Sequence, residues 1–108
     1  MRVAGRTVLP VELYEARTLR DATSFRAQRY YGPRGREELH PPATVLDVRA
    51  LLAAEPRVLV YGVTPTGRSV CVTPRVLAIY DAATRGEIPW GYPAPPHAAN
   101  TNKSRSLP

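Results

Sequence analysis

One cysteine, Cys71, leaves this 108-residue sequence without an intramolecular disulfide framework. It lies in an apolar run, where a buried, inert thiol is the expected state. Only two histidines are present, His40 and His97, each beside prolines and far apart in sequence. With Cys71 they fall short of the three or four correctly spaced ligands that a metal ion needs. No Gly-rich phosphate loop follows a strand, because Gly32-Pro33-Arg34-Gly35 lacks both the flanking elements and the Lys-Ser/Thr of a P-loop. Nothing among the nine carboxylates singles out an acid–base pair. The expectation is a protein without catalytic residues, metal or cofactor. Long apolar runs are also missing. None approaches the ~18–20 residues of a membrane span, and no apolar segment of signal-peptide type follows Arg2. Glu12 and Glu15 argue against an Arg-bearing organelle presequence, so the expected setting is the cytoplasm, with no membrane partner.

Lysine is nearly absent: one residue against fourteen arginines. Arginine presents a planar fork that pairs with phosphates or carboxylates and stacks on aromatic rings. A GC-rich genome also raises Arg, Ala, Pro and Gly together, so the preference alone does not identify a ligand. The distribution of charge says more. The chain carries a net +6, and residues 1–36 hold eight basic against three acidic side chains, a net +5. Such asymmetry implies an anionic partner, with nucleic acid the commonest.

Proline is abundant, with twelve residues, four of them between positions 89 and 96. The others punctuate the chain, so its elements should be short. Residues 2–9 read as a short strand interrupted by Gly5. Pro10 suits the first turn of a helix over roughly 11–29, although its apolar positions trace no clean stripe, and Asp21 could cap a second short helix instead. Thr44-Val45-Leu46-Asp47 has capping-box form and opens a helix that Pro56 stops. Residues 57–72 read as a β-hairpin turning at Thr64-Pro65-Thr66-Gly67, with Val58, Val60 and Gly62 on one side and Leu59, Tyr61 and Val63 on the other. Thr73-Pro74 opens a third helix, with Val76, Ile79, Tyr80 and Ala83 at helical spacing and Gly86 as its stop. These residues, with Leu59 and Val60, form the expected core.

Two segments carry candidate functional residues. Arg29-Tyr30-Tyr31-Gly32-Pro33-Arg34-Gly35-Arg36 reads as an open loop whose guanidinium groups can grip phosphates while its rings stack on exposed bases. The same tyrosines could equally anchor a helix end in the core. The binding set is Arg26, Arg29, Arg34 and Arg36 for phosphates, with Tyr30 and Tyr31 for stacking. Residues 89–108 form the other segment, a Pro-rich and polar arm favouring polyproline II. Its Trp90 and Tyr92 could anchor a protein partner, and Trp90 could also fold back onto the hairpin as a lid.

Val72-Thr73-Pro74-Arg75, the helix after it, and Arg85-Gly86-Glu87-Ile88-Pro89 resemble the recognition helix and exit turn of excisionase or MerR-type winged helix-turn-helix proteins. Residues 44–52 are similar to their first helix. The resemblance covers about a third of the chain, and it implies Arg75 near phosphates and the third helix in a major groove. The sequence departs from the family by placing a whole hairpin between the two helices, and by offering Ala78, Asp81 and Ala82 where reading side chains belong.

Taken together, the sequence predicts an α+β fold: one small basic domain over 1–88, its hairpin packed by two or three short helices, and an extended arm over 89–108. The expected function is a non-catalytic binding module whose basic third meets nucleic acid or another anionic surface. One alternative is an accessory subunit of a virion or multi-protein complex, docked through the arm. Another is a small protein inhibitor of an enzyme.

Overall fold

The structure, a computed structural model, describes residues 1–90. It is α+β, with three helices and two antiparallel sheets. The described residues form two compact units: residues 1–17 with 75–90, and residues 18–74.

In the first unit, β1 (Arg2–Val3) and β2 (Arg6–Thr7) pair through a turn with Ala4 at φ 53° and Gly5 at φ 78°. The expected single strand over 2–9 is therefore folded on itself. Glycine adopts this left-handed backbone without steric cost, and its pairing with a second left-handed residue makes a tight hairpin turn. α1 (Pro10–Asp21) begins in this unit. Its Glu12 carboxylate accepts the Leu9 N–H at 3.0 Å, satisfying an amide that the first helical turn leaves open. α3 (Pro74–Thr84) has Pro at its first helical position, where the missing N–H costs nothing. It ends in a Schellman motif: Gly86 at φ 78° donates to the Ala83 carbonyl, and Glu87 donates to that of Ala82. Val8, Leu13, Ala16, Ile79, Ala82, Ala83 and Ile88 form the buried core here, with Val3, Tyr80 and Trp90 packed against it.

The second unit is a four-stranded sheet in the order β4-β3-β5-β6, made of β3 (Ser24–Tyr30), β4 (Arg36–Leu39), β5 (Val58–Val63) and β6 (Ser69–Cys71). The expected hairpin is β5–β6. Its turn is fixed by the Thr64 hydroxyl accepting the Arg68 N–H at 3.0 Å and by Gly67 at φ 88°. α2 (Val45–Ala54) carries the expected capping box, with the Thr44 hydroxyl accepting the Asp47 N–H and Asp47 accepting the Thr44 N–H.

The helix expected over 11–29 stops at Asp21, and the inner strand β3 occupies the rest of that span. Thr23 donates to the Val63 carbonyl at 2.9 Å, so the chain enters ladder pairing just after the helix. From there Phe25 and Ala27 are buried while Ser24, Arg26 and Tyr30 are exposed. That is the period-2 alternation of a strand with one buried face. The register places Phe25 opposite Gly62, Ala27 opposite Val60 and Arg29 opposite Val58 on the core face. Gly62 is small for a reason: a Cβ there would lie 3.1 Å from the Ala22 Cβ and 3.4 Å from the Phe25 ring.

Two core assignments change. Cys71 is exposed rather than buried, because its pairing with Tyr61 puts it on the face opposite buried Val70. Leu59 is half-buried, whereas Val60 is fully enclosed. Among the described residues, no helix is long and apolar enough to cross a membrane.

Candidate functional site

β3 and β4 form a hairpin, closed by a short 3-10 turn over Gly32–Arg34. The predicted loop over 29–36 thus shrinks to its tip, residues 31–35. Pro33 supplies the fixed φ of the turn, and Gly32 and Gly35 take the positive φ values of 67° and 102° that it requires. Tyr31 and Gly35 close the tip, N–H to carbonyl, at 2.9 Å.

Strand alternation divides the six predicted binding residues between faces. Arg29 lies on the core face and is committed there. Its Nε donates to Glu55 Oε1 at 2.9 Å, a second guanidinium nitrogen donates to the same oxygen, and a third donates to Glu37 Oε1 at 2.7 Å. The Glu55 bond, with those around Tyr31 and Glu37, raises the Arg29 pKa further above its already high value. Tyr31 joins the same network, its hydroxyl donating to Glu37 Oε1 at 2.6 Å. That hydroxyl and Arg29 hold the Glu37 carboxyl below the ordinary range. Arg29 therefore ties β4 and the end of α2 to β3.

The other face carries a different set. The ladder aligns Tyr30 with Arg36 on one side, and the Tyr30 N–H donates to the Arg57 carbonyl at 3.1 Å on the other. The result is a cross-strand row, Arg36–Tyr30–Arg57. Tyr30, at its centre, is 46% exposed, and the Arg36 guanidinium carbon sits 5.9 Å from the ring centroid, within cation–π range. Arg36 also donates to Gln28 Oε1 at 3.2 Å. The next row aligns Glu38, Gln28 and Leu59, and the one beyond it aligns Arg26, Tyr61 and Cys71. Arg26 pairs with Glu38 at 3.2 Å, and the Gln28 amide donates to the same carboxylate at 3.0 Å. Gln28 first and Arg26 second hold Glu38 below its usual pKa.

Arg34 at the hairpin tip and Arg57 before β5 are exposed. Among the described residues neither meets a carboxylate, and neither does Arg36. An open groove of about 510 Å³ lies at this end of the sheet, lined by Tyr30, Tyr31, Gly32, Pro33, Pro56, Arg57 and Leu59. Its walls are mostly apolar, and Arg57 is the one cationic residue among those lining it.

Arg57, Pro56, Leu59 and Tyr61 were not among the residues nominated from sequence. The alternation of β5 sets Leu59 and Tyr61 on the side opposite Val58, Val60 and Gly62, although Leu59 is expected in the core from sequence. What was missing was β3 beside them, since that strand reads as helix in the sequence.

Other predicted roles fare differently. Arg75, which the winged-helix resemblance places near phosphates, is largely buried. It donates to Glu12 at 2.9 Å, to the Val3 carbonyl at 2.6 Å and to the Thr7 carbonyl at 3.2 Å. Four of its five N–H donors are spent on holding the β1–β2 hairpin to α1, which leaves little of the fork for a phosphate. Trp90 packs edge-on against Tyr80, with ring centroids 5.9 Å apart, as part of its own unit's core. Tyr92 and the arm beyond Trp90 lie outside the described residues. No group of three or more His, Cys, Asp and Glu that could hold a metal ion occurs among the described residues. No protein-family model matches the chain, and neither a curated protein nor a solved structure matches it.

Proposed function

We infer that the chain is a non-catalytic binding module that grips nucleic acid with the face and tip of its β3–β4 hairpin. The observation carrying this reading is the row Arg36–Tyr30–Arg57, with Arg34 beside it at the tip. It presents three arginines not neutralised by described carboxylates around one half-exposed aromatic ring. Phosphates reward clustered guanidinium groups, and a flat ring offers a sequence-tolerant surface to bases. Two residues nominated from sequence take other parts in this reading. Arg29 positions the hairpin, and Arg26 is partly offset by Glu38.

The test is binding of labelled oligonucleotides across a salt series, comparing the native protein with an Arg34/Arg36/Arg57→Ala triple variant. Each lost phosphate contact on a single strand should lower the salt slope by about 0.7, so the triple variant should lose about two units. Absence of binding at low salt, or a slope unaffected by the triple change, sinks this function.

A further inference from the structure

We propose that the groove at the hairpin end of the sheet seats one unpaired nucleobase, making single-stranded nucleic acid the ligand. This deepens the function proposed above and rests on it. The groove is concave and mostly apolar, lined by Tyr30, Pro33, Pro56 and Leu59. Apart from Arg57, such walls offer a phosphate little to bond, whereas the planar face of a base packs on them. One cation lines the groove and two more belong to residues beside its lining. Arg57 lines the groove itself, Arg34 follows Pro33 at the tip, and Arg36 flanks the Tyr30 ring. An apolar slot with charged edges matches a nucleotide in cross-section: base inward, phosphates on either side outward. A duplex does not present this shape, since its bases are paired and stacked and only their edges reach the grooves. An unpaired base can turn out of its strand without breaking a pair.

The slot is braced from behind. Tyr31, another lining residue, is tethered through its hydroxyl to Glu37, which Arg29 binds in turn, and Arg29 also holds Glu55 next to Pro56. One ion-pair network thus reaches both the Tyr31 wall and the residue preceding Pro56. Bracing of this kind reduces the ordering cost of binding.

Fluorescence anisotropy with four probes of one length tests this: single-stranded DNA, single-stranded RNA, the matching duplex, and a single strand of abasic sites with the same phosphates. The native protein should bind one or both intact single strands more tightly than the duplex and the abasic strand. Tyr30→Ala should weaken intact-strand binding by about 5- to 150-fold, to near the abasic level, the range expected for one lost base–aromatic stack. Tyr30→Phe, which keeps the ring, should bind like the native protein, and circular dichroism of both variants checks folding. Equal affinity for abasic and intact strands, or preference for the duplex, overturns the base slot while leaving phosphate gripping in place. Failure of every probe at low salt removes both proposals.

Discussion

Arg75 and Glu12 are joined by two hydrogen bonds, from Nε to Oε2 at 2.9 Å and from a terminal nitrogen to Oε1 at 3.3 Å, although 63 residues separate them. Both side chains are less than a fifth exposed. The same guanidinium caps the Val3 and Thr7 carbonyls, so one side chain closes α3, α1 and the β1–β2 hairpin together. Arg75→Ala should destabilise the protein by about 2–3 kcal/mol, somewhat under the loss for a fully buried pair, because it strands Glu12 and two carbonyls. Arg75→Lys should recover little, since an ammonium cannot span the fork's partners. Urea melts of the two variants provide the check.

Two carboxyls on α1 respond to acid in opposite senses. Glu12 is held below its ordinary value of 4.5, chiefly by the Arg75 hydrogen bond against the cost of burial. Its contribution to stability is complete above pH 4.5 and disappears as pH falls through the lowered value. Glu15 is pushed up, first by burial and then by the Glu12 charge. Its ionisation opposes folding at neutral pH. Glu15→Gln should therefore raise the melting temperature at pH 7, with the gain shrinking to nothing below about pH 4.5, where the carboxyl is protonated in both states. A series of thermal melts that gave the same gain at about pH 7 and about pH 3.5 would contradict this account.

Arg29 and Arg36 should separate cleanly by experiment. Arg36→Ala should lower the salt slope of oligonucleotide binding by about 0.7 with little change in melting temperature. Arg29→Ala should do the reverse, since its guanidinium is occupied by Glu55 and Glu37. Its melting temperature should drop, and its slope should stay near that of the native protein.

Gly62→Ala tests the crowding behind β5. The added methyl must push Ala22 or the Phe25 ring, at 3.1 and 3.4 Å, away from the sheet. A loss of about 1–3 kcal/mol is expected, and pairing it with Phe25→Leu should restore part of that loss. Denaturant titration of the single and double variants measures the recovery.

The elements legible in the sequence were those with local punctuation. Thr44 and Asp47 define the start of α2, Pro74 and Gly86 bracket α3, and Gly67 turns β5 into β6, all through contacts within a few residues. β3 was illegible for a physical reason. Most of its positions, Arg26, Gln28, Arg29 and Tyr30 among them, are polar or amphipathic, and it comes soon after a true helix. Only pairing with β5, whose partner residues lie 29 to 39 positions away, reveals its alternation. The site was half legible on the same grounds. Tyr30, Arg34 and Arg36 are neighbours in sequence, whereas Arg57 comes to Tyr30 only through the ladder. The carboxylates that occupy Arg29 and Arg26 were visible as residues, but their faces were not.

Cys71 stands exposed on the second sheet face, directly across from Tyr61 and in the same row as Arg26. The sequence holds no other cysteine. A maleimide dye would therefore attach at one position, two strands from Tyr30, without any engineered thiol. The native chain is in effect its own sensor: a strand crossing this face toward the hairpin would change the dye's surroundings, and one gripped at the tip alone would leave them as they were.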